Sequence, residues 1–326
     1  MIMPSLSRLR NLGRVLSADN RVHLARHELA PVLENFKTGF SLARDTGAGP
    51  LLIAALVNVA IASQQLKDVQ YLIQEPNAPN LYWALSALPR PFVGNIADIM
   101  LGEKSGVYFS LPKLEELENR IFSPAEIREK LQAAWDILEI DRHGLEEAFV
   151  VGSLVSAYPQ AKAALLKSGM DPARVEAMPA LQAVFIWWLR DFTREYDNAL
   201  KLFLLPYPAA RAAFERMDAR FDQIRKLYPS NPLMMLVPAL SRAYFIFVRL
   251  DRQIAALQVI EALRMYAAGH DGKLPGSLDE VTEVPIPLDP LTGQAFPYRL
   301  EGGTAVIDWP AGFPPKEGEK YEITIK

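Results

Sequence analysis

Cysteine is absent from these 326 residues. Without a thiol there is no disulfide staple, no thiolate nucleophile, no Cys-ligated zinc and no iron–sulfur cluster. Histidine is scarce as well, with only His23, His27, His143 and His270. Charge is nearly balanced: 35 Lys+Arg against 38 Asp+Glu leave −3, so the chain lacks the basic excess with which a nucleic-acid binder releases counterions from phosphates. No apolar run reaches the roughly 20 residues of a bilayer span. The longest candidate, residues 51–62 (LLIAALVNVAIA), holds Asn58 and gives way to Gln64, Gln65, Lys67 and Asp68, which predicts a buried core helix and no transmembrane segment. The opening MIMPSLSRLRNLGRVLS has no apolar h-region, so no export signal is expected in the chain as given. Phosphate-binding G-x-G-x-x-G and Walker A patterns, a G-x-S-x-G elbow and HExxH are missing, and no cofactor is expected.

What is present is a helical sequence. Half of the residues are apolar, enough for a sizeable core. From Val22, apolar residues at 25, 29, 32, 33, 36 and 40 keep a helical period, with Pro31 inside it predicting a kink or two abutting helices. Asn80 caps a short helix in this reading, and Ser123-Pro124-Ala125-Glu126 combines an N-cap, N1 proline and N3 glutamate. Asp171-Pro172 and Asn231-Pro232 read as further starts, Arg142-His143-Gly144 as an end, and Pro159, Pro179, Pro206 and Pro208 as breaks. Residues 180–205 predict an aromatic amphipathic helix and residues 232–268 a long one kinked at Pro238. Residues 89–112, rich in Pro, Gly and Ser, predict a loop or subdomain seam. After Gly269, a capping box at 277–280, a hairpin over 296–309 and a strand at 321–325 are expected. The expected fold is therefore mainly α, a multi-helix bundle or array over residues 1–268 followed by a small α+β module over 269–326.

Residues 257–307 resemble the C-terminal part of type II secretion pseudopilins. The matching positions are Tyr266, Gly272, Leu274, Pro275, Ser277, Leu278, Glu280, Asp289, Pro290, Thr292, Gly293 and Tyr298. The chain lacks the prepilin processing site and the apolar stalk of that family, so the resemblance does not extend to pilus assembly, and Asp289 with Asp308 does not carry over a calcium site. Residues 72–92 (LIQEPNAPNLYWALSALPRPF) resemble a segment of large helical bacterial proteins that carry similar tails. Together these resemblances imply a bacterial envelope or periplasmic setting and assign no activity.

Candidate chemistry is thin. His23 and His27, at i and i+4 with Asp19 one turn earlier, form a ladder that can in principle hold a metal ion, although a solvated helix face explains it more simply. Asp191 and Glu195 beside Trp187 and Trp188 offer an acid–base pair, or an ordinary ion-paired helix surface. Arg8, Arg10, Arg14, Arg21 and Arg26 form a basic cluster suited to an anionic surface or to solvent. Tyr82, Trp83, Trp187 and Trp188 are the interface candidates. The leading expectation is a non-catalytic interaction or assembly component with a protein partner or a second copy of itself. A metal- or carboxylate-dependent hydrolase and a binder of small apolar ligands are the alternatives.

Overall fold

The computed structural model describes residues 2–110, 112–137, 147–227, 240–309 and 319–325. Among them are twelve α-helices and a three-stranded antiparallel sheet, so the chain is mainly α with a small α+β segment near its C-terminus. In chain order the helices are α1 (Ile2–Ala25), α2 (Leu29–Thr46), α3 (Leu52–Leu72), α4 (Tyr82–Ser86), α5 (Ile96–Ser110) and α6 (Leu114–Asn119). They continue with α7 (Pro124–Ile137), α8 (Glu147–Lys167), α9 (Pro172–Ala177), α10 (Ala180–Leu202), α11 (Tyr207–Leu227) and α12 (Leu240–Gly269). No described helix is long and apolar enough to cross a membrane. The chain divides into two compact units: unit 1 is Met1–Ile99, Pro206–Ala210 and Arg242–Lys326, and unit 2 is Met100–Leu205 and Arg211–Ser241. The tail read from the sequence as a module of its own falls inside unit 1 with most of α12.

In unit 1, α1, α2 and α3 pack against one another. Pro31 lies in the first turn of α2, where its missing N–H leaves no bond unmade, and His27 (φ 56°) turns the chain between α1 and α2. α3 is buried on most of its circumference, including Asn58, Gln65 and Asp68. The Asp68 carboxylate accepts from the Ser17 hydroxyl (3.0 Å) and the Asn20 amide (3.2 Å), yet burial still raises its pKa above the usual carboxylate value. A Cβ on Gly39 of α2 would sit 2.5 Å from the Gln65 amide, so glycine is what lets these two helices approach. In the tail, Ser277 makes no capping bond to the 3-10 turn at Leu278–Glu280, while Glu280 accepts from the Gly276 N–H at 3.0 Å. The expected capping box is thus not made: Glu280 reaches back one residue beyond Ser277. The hairpin of β1 (Tyr298–Glu301) and β2 (Thr304–Trp309) closes through Gly302 and Gly303, both at positive φ (55° and 86°). Two consecutive left-handed residues match the right-handed strand twist. β3 (Glu319–Ile323) completes the sheet on the far side of β2.

In unit 2, α10 packs against α6, α7 and α8. The capping box opens α7 as its sequence demands: the Glu126 carboxylate accepts the Ser123 N–H (2.8 Å) and the Ser123 hydroxyl accepts the Glu126 N–H (3.3 Å). Buried Gln182 accepts from the Phe122 N–H (3.0 Å) and donates to the carbonyls of Leu117 and Arg120 (2.7 Å each), tying that segment to α10. Two expectations are corrected. Residues 89–112 are not a single loop, because α5 occupies most of their second half, burying Ile96, Ile99 and Met100 at i, i+3 and i+4, although the division between the two units, after Ile99, does fall within them. Pro159 does not break its helix but lies within α8 on the exposed side, where it removes one backbone bond without disturbing packing. The expected helix end at 142–144, His143 with it, and the features at Asn231, Pro232 and Pro238 lie outside the described residues.

Candidate functional site

Unit 1 contains a cleft of about 530 Å³. One wall is α2, where Leu33, Phe36 and Phe40 face inward and Glu34, Lys37, Ser41 and Arg44 form the rim. The opposite wall comes from residues 81–92, through Leu81, Ala84, Leu85, Leu88, Pro89 and Phe92, and Val69 of α3 supplies the floor. Phe40 meets Phe36 at 6.4 Å and the Phe92 ring edge-on at 5.9 Å, which joins the two walls. Glu34 and Lys37 pair at 2.6 Å, so part of the rim charge is internally matched. A mostly apolar cavity of this size with polar groups confined to its edge is the usual form of a small-molecule site.

The second wall is largely irregular, and α12 fastens it. Residues 78–92 run antiparallel to that helix, held at four levels. Arg264 donates to the Ala78 carbonyl (3.0 Å), and the Glu261 carboxylate accepts the Leu81 N–H (3.2 Å) while its own backbone carbonyl accepts from Asn80 (2.8 Å). Gln258 donates to the Ser86 hydroxyl (2.6 Å) and accepts from Arg90, and Asp251 accepts the Phe92 N–H (2.9 Å). The N-cap of α4 is Leu81, one residue after the expected Asn80, whose side chain nevertheless accepts the Tyr82 N–H at 3.0 Å. Leu81 and Phe92 are buried, so their backbone N–H groups need such partners, and side chains of a long helix provide them. Burial raises the pKa of both acids: Asp251 is pushed up to about 6 despite the Phe92 N–H and the Arg90 charge, and Glu261 is raised despite Arg264 at 2.7 Å. Sequence reading missed both acids, although two carboxylates within a long apolar helix were a visible signal of a buried polar task.

The residues singled out from the sequence are dispersed. His23 and His27 do not share a helix face, because α1 ends at Ala25 and the left-handed turn carries His27 away. His23 sits 2.6 Å from Glu28 and 3.5 Å from Asp19, whereas His27 reaches Glu75 at 2.6 Å. Among the described residues, no three His, Asp or Glu side chains converge to hold a metal ion. Asp191 pairs with Arg194 (2.6 Å), and buried Glu195 takes Arg194 (3.2 Å) and Arg220 (2.7 Å). Desolvation raises Asp191, opposed by Arg194. Of the interface candidates, Tyr82 and Trp188 are core, 3% and 4% exposed, and the Tyr82 hydroxyl donates to the Pro285 carbonyl. Trp187 is half-buried and Trp83 is 64% exposed.

The tail positions pin the C-terminal segment. The Asp289 carboxylate, fully buried, meets Arg252 of α12 at 2.7 Å and accepts the Leu291 N–H at 2.9 Å. Gly293, at φ 71°, returns its N–H to the Asp289 carbonyl at 2.7 Å. The Tyr298 hydroxyl donates to the Pro275 carbonyl at 2.5 Å, and Asp308 pairs with Arg299. The two aspartates considered for calcium therefore each face an arginine. The chain matches no protein-family model, no curated protein and no solved structure.

Proposed function

We propose that this chain is a binding protein, and that the cleft between α2 and residues 81–92 takes a small, predominantly apolar ligand. The observation that carries the reading is the cleft itself: about 530 Å³ walled by Leu, Phe and Ala side chains, with Lys37 and Arg44 at its edge. Burying an aliphatic ligand there gains about 25 cal/mol per Å² of apolar surface removed from water. The test is native mass spectrometry of the protein isolated from its own cell, beside an Ala84→Trp variant. Ala84 lines the cleft and is exposed, so an indole there fills the space without entering the core. A bound species of fixed mass in the wild type that is missing from the variant supports the reading; a wild type carrying nothing, or a variant carrying the same species, refutes it.

A second reading, an interaction or assembly component, is favoured by Trp83. Its exposed ring stands edge-on to Tyr82 at 5.1 Å and is held ready for a partner or a second copy of the chain. Light scattering of the wild type and Trp83→Ala tests it: an oligomer lost in the variant supports the reading, and a monomer with no retained partner refutes it. The resemblance of residues 257–307 to pseudopilin tails supports a bacterial envelope as the setting for either role.

A further inference from the structure

The geometry points to an anionic lipid surface as the partner of the side of unit 1 formed by α1 and α3. α3 leaves one stripe towards solvent: residues 53, 57, 60, 64, 67 and 71 recur at spacings of three and four and share a face. Ile53 and Tyr71 are 39% and 40% exposed, Val57, Ala60 and Gln64 are half-buried, and Lys67 is the stripe's one charge. Two contacts set α1 beside it: the Gln64 amide donates to the Ser17 hydroxyl at 2.8 Å, and the Arg21 guanidinium lies over the Tyr71 ring at 5.2 Å.

Arg10, Arg14 and Arg21 fall on that flank of α1, and all three are exposed. Two acids lie nearby. Asp68, fully buried beneath the seam, takes Arg21 at 3.8 Å and so offsets one of the cations, and Asp19 lies on the opposite flank, held by Asn35 (2.8 Å) and His23 (3.5 Å). Further round α1, Val15 and Val22 are 63% and 47% exposed. A chain with net charge −3 thus gathers cations on one face and interleaves them with exposed apolar side chains.

That mixture selects the partner. A nucleic-acid backbone would neutralise the cations and leave the apolar groups in water, whereas the boundary of an anionic bilayer accommodates both. Tyr71 suits the headgroup level, where its ring and hydroxyl are each solvated. The attraction is electrostatic at range and falls within a Debye length, so it weakens with salt.

The test is co-sedimentation of the full chain with vesicles of phosphatidylcholine, with and without phosphatidylglycerol. Comparison is with the triple variant Arg10→Gln, Arg14→Gln, Lys67→Gln, whose exposed side chains can change without altering the fold. A circular-dichroism melt verifies that, and Tyr71→Ser provides a single-site variant against the apolar contribution. We expect binding that requires phosphatidylglycerol, falls roughly a hundredfold in the triple variant, falls less in Tyr71→Ser, and is lost at high salt. Equal binding to both vesicle types, an unaffected triple variant, or retention on duplex DNA without retention on vesicles would each overturn it.

Discussion

Buried and half-buried carboxylates are used in two ways in this molecule. In unit 1, Asp251 and Glu261 of α12 accept backbone N–H groups from residues 81 and 92, and so hold an irregular wall beside an open apolar cleft. In unit 2, Asp191 and Glu195 of α10 face the guanidinium groups of Arg194 and Arg220, and the cluster closes on itself. The first arrangement shapes space for another molecule; the second satisfies charge locally. A carboxylate therefore signals a site through what it positions rather than through its presence in a sequence.

The contrast can be broken by removing one member of each group. The largest effect belongs to Glu261→Ala, which strands the Leu81 N–H and leaves Arg264 without its carboxylate: about 3–4 kcal/mol less stable in urea unfolding. A loss below about 1 kcal/mol would mean that the wall holds itself. Asp251→Asn acts through pH. Burial pushes the carboxyl up to about 6 in the folded chain from its ordinary 3.8, so folding favours the protonated form. Stability from this group is present at low pH and declines as pH rises from about 4 through 6. Comparing urea unfolding of wild type and variant at both ends of that range, we expect the variant's decline to be smaller by about 2 kcal/mol; identical profiles would contradict the assignment. The smallest effect is Arg194→Gln, below about 1 kcal/mol, because its side chain is 55% exposed and Glu195 keeps Arg220. A large loss there would erase the distinction between the two groups of acids.

Local grammar was readable where a few neighbouring residues decide the structure. Ser123 with Glu126, Asp171 before Pro172, and the Gly302-Gly303 turn all sit as their spacing predicts. Composition misled in residues 89–112, where Gly102 and Gly106 obscured the Ile96, Ile99 and Met100 period of α5. At His23 and His27 the i,i+4 inference failed because α1 stops at Ala25, two residues too early. The cleft was not legible at all, since its walls come from α2 and residues 81–92, and the second wall is fastened by α12, about 160 to 190 positions further along the chain. Only the acids within the long apolar run of α12 hinted that something irregular had to be satisfied there.

The most direct test is a fluorescence titration with anilinonaphthalene sulfonate, an apolar probe with one anionic group, on the wild type and Ala84→Trp. Saturable binding by the wild type that is abolished in the variant, with the two proteins melting at the same temperature, is the predicted result. Equal saturable binding by both, or none by the wild type, would contradict the claim that the space beside α2 receives a ligand.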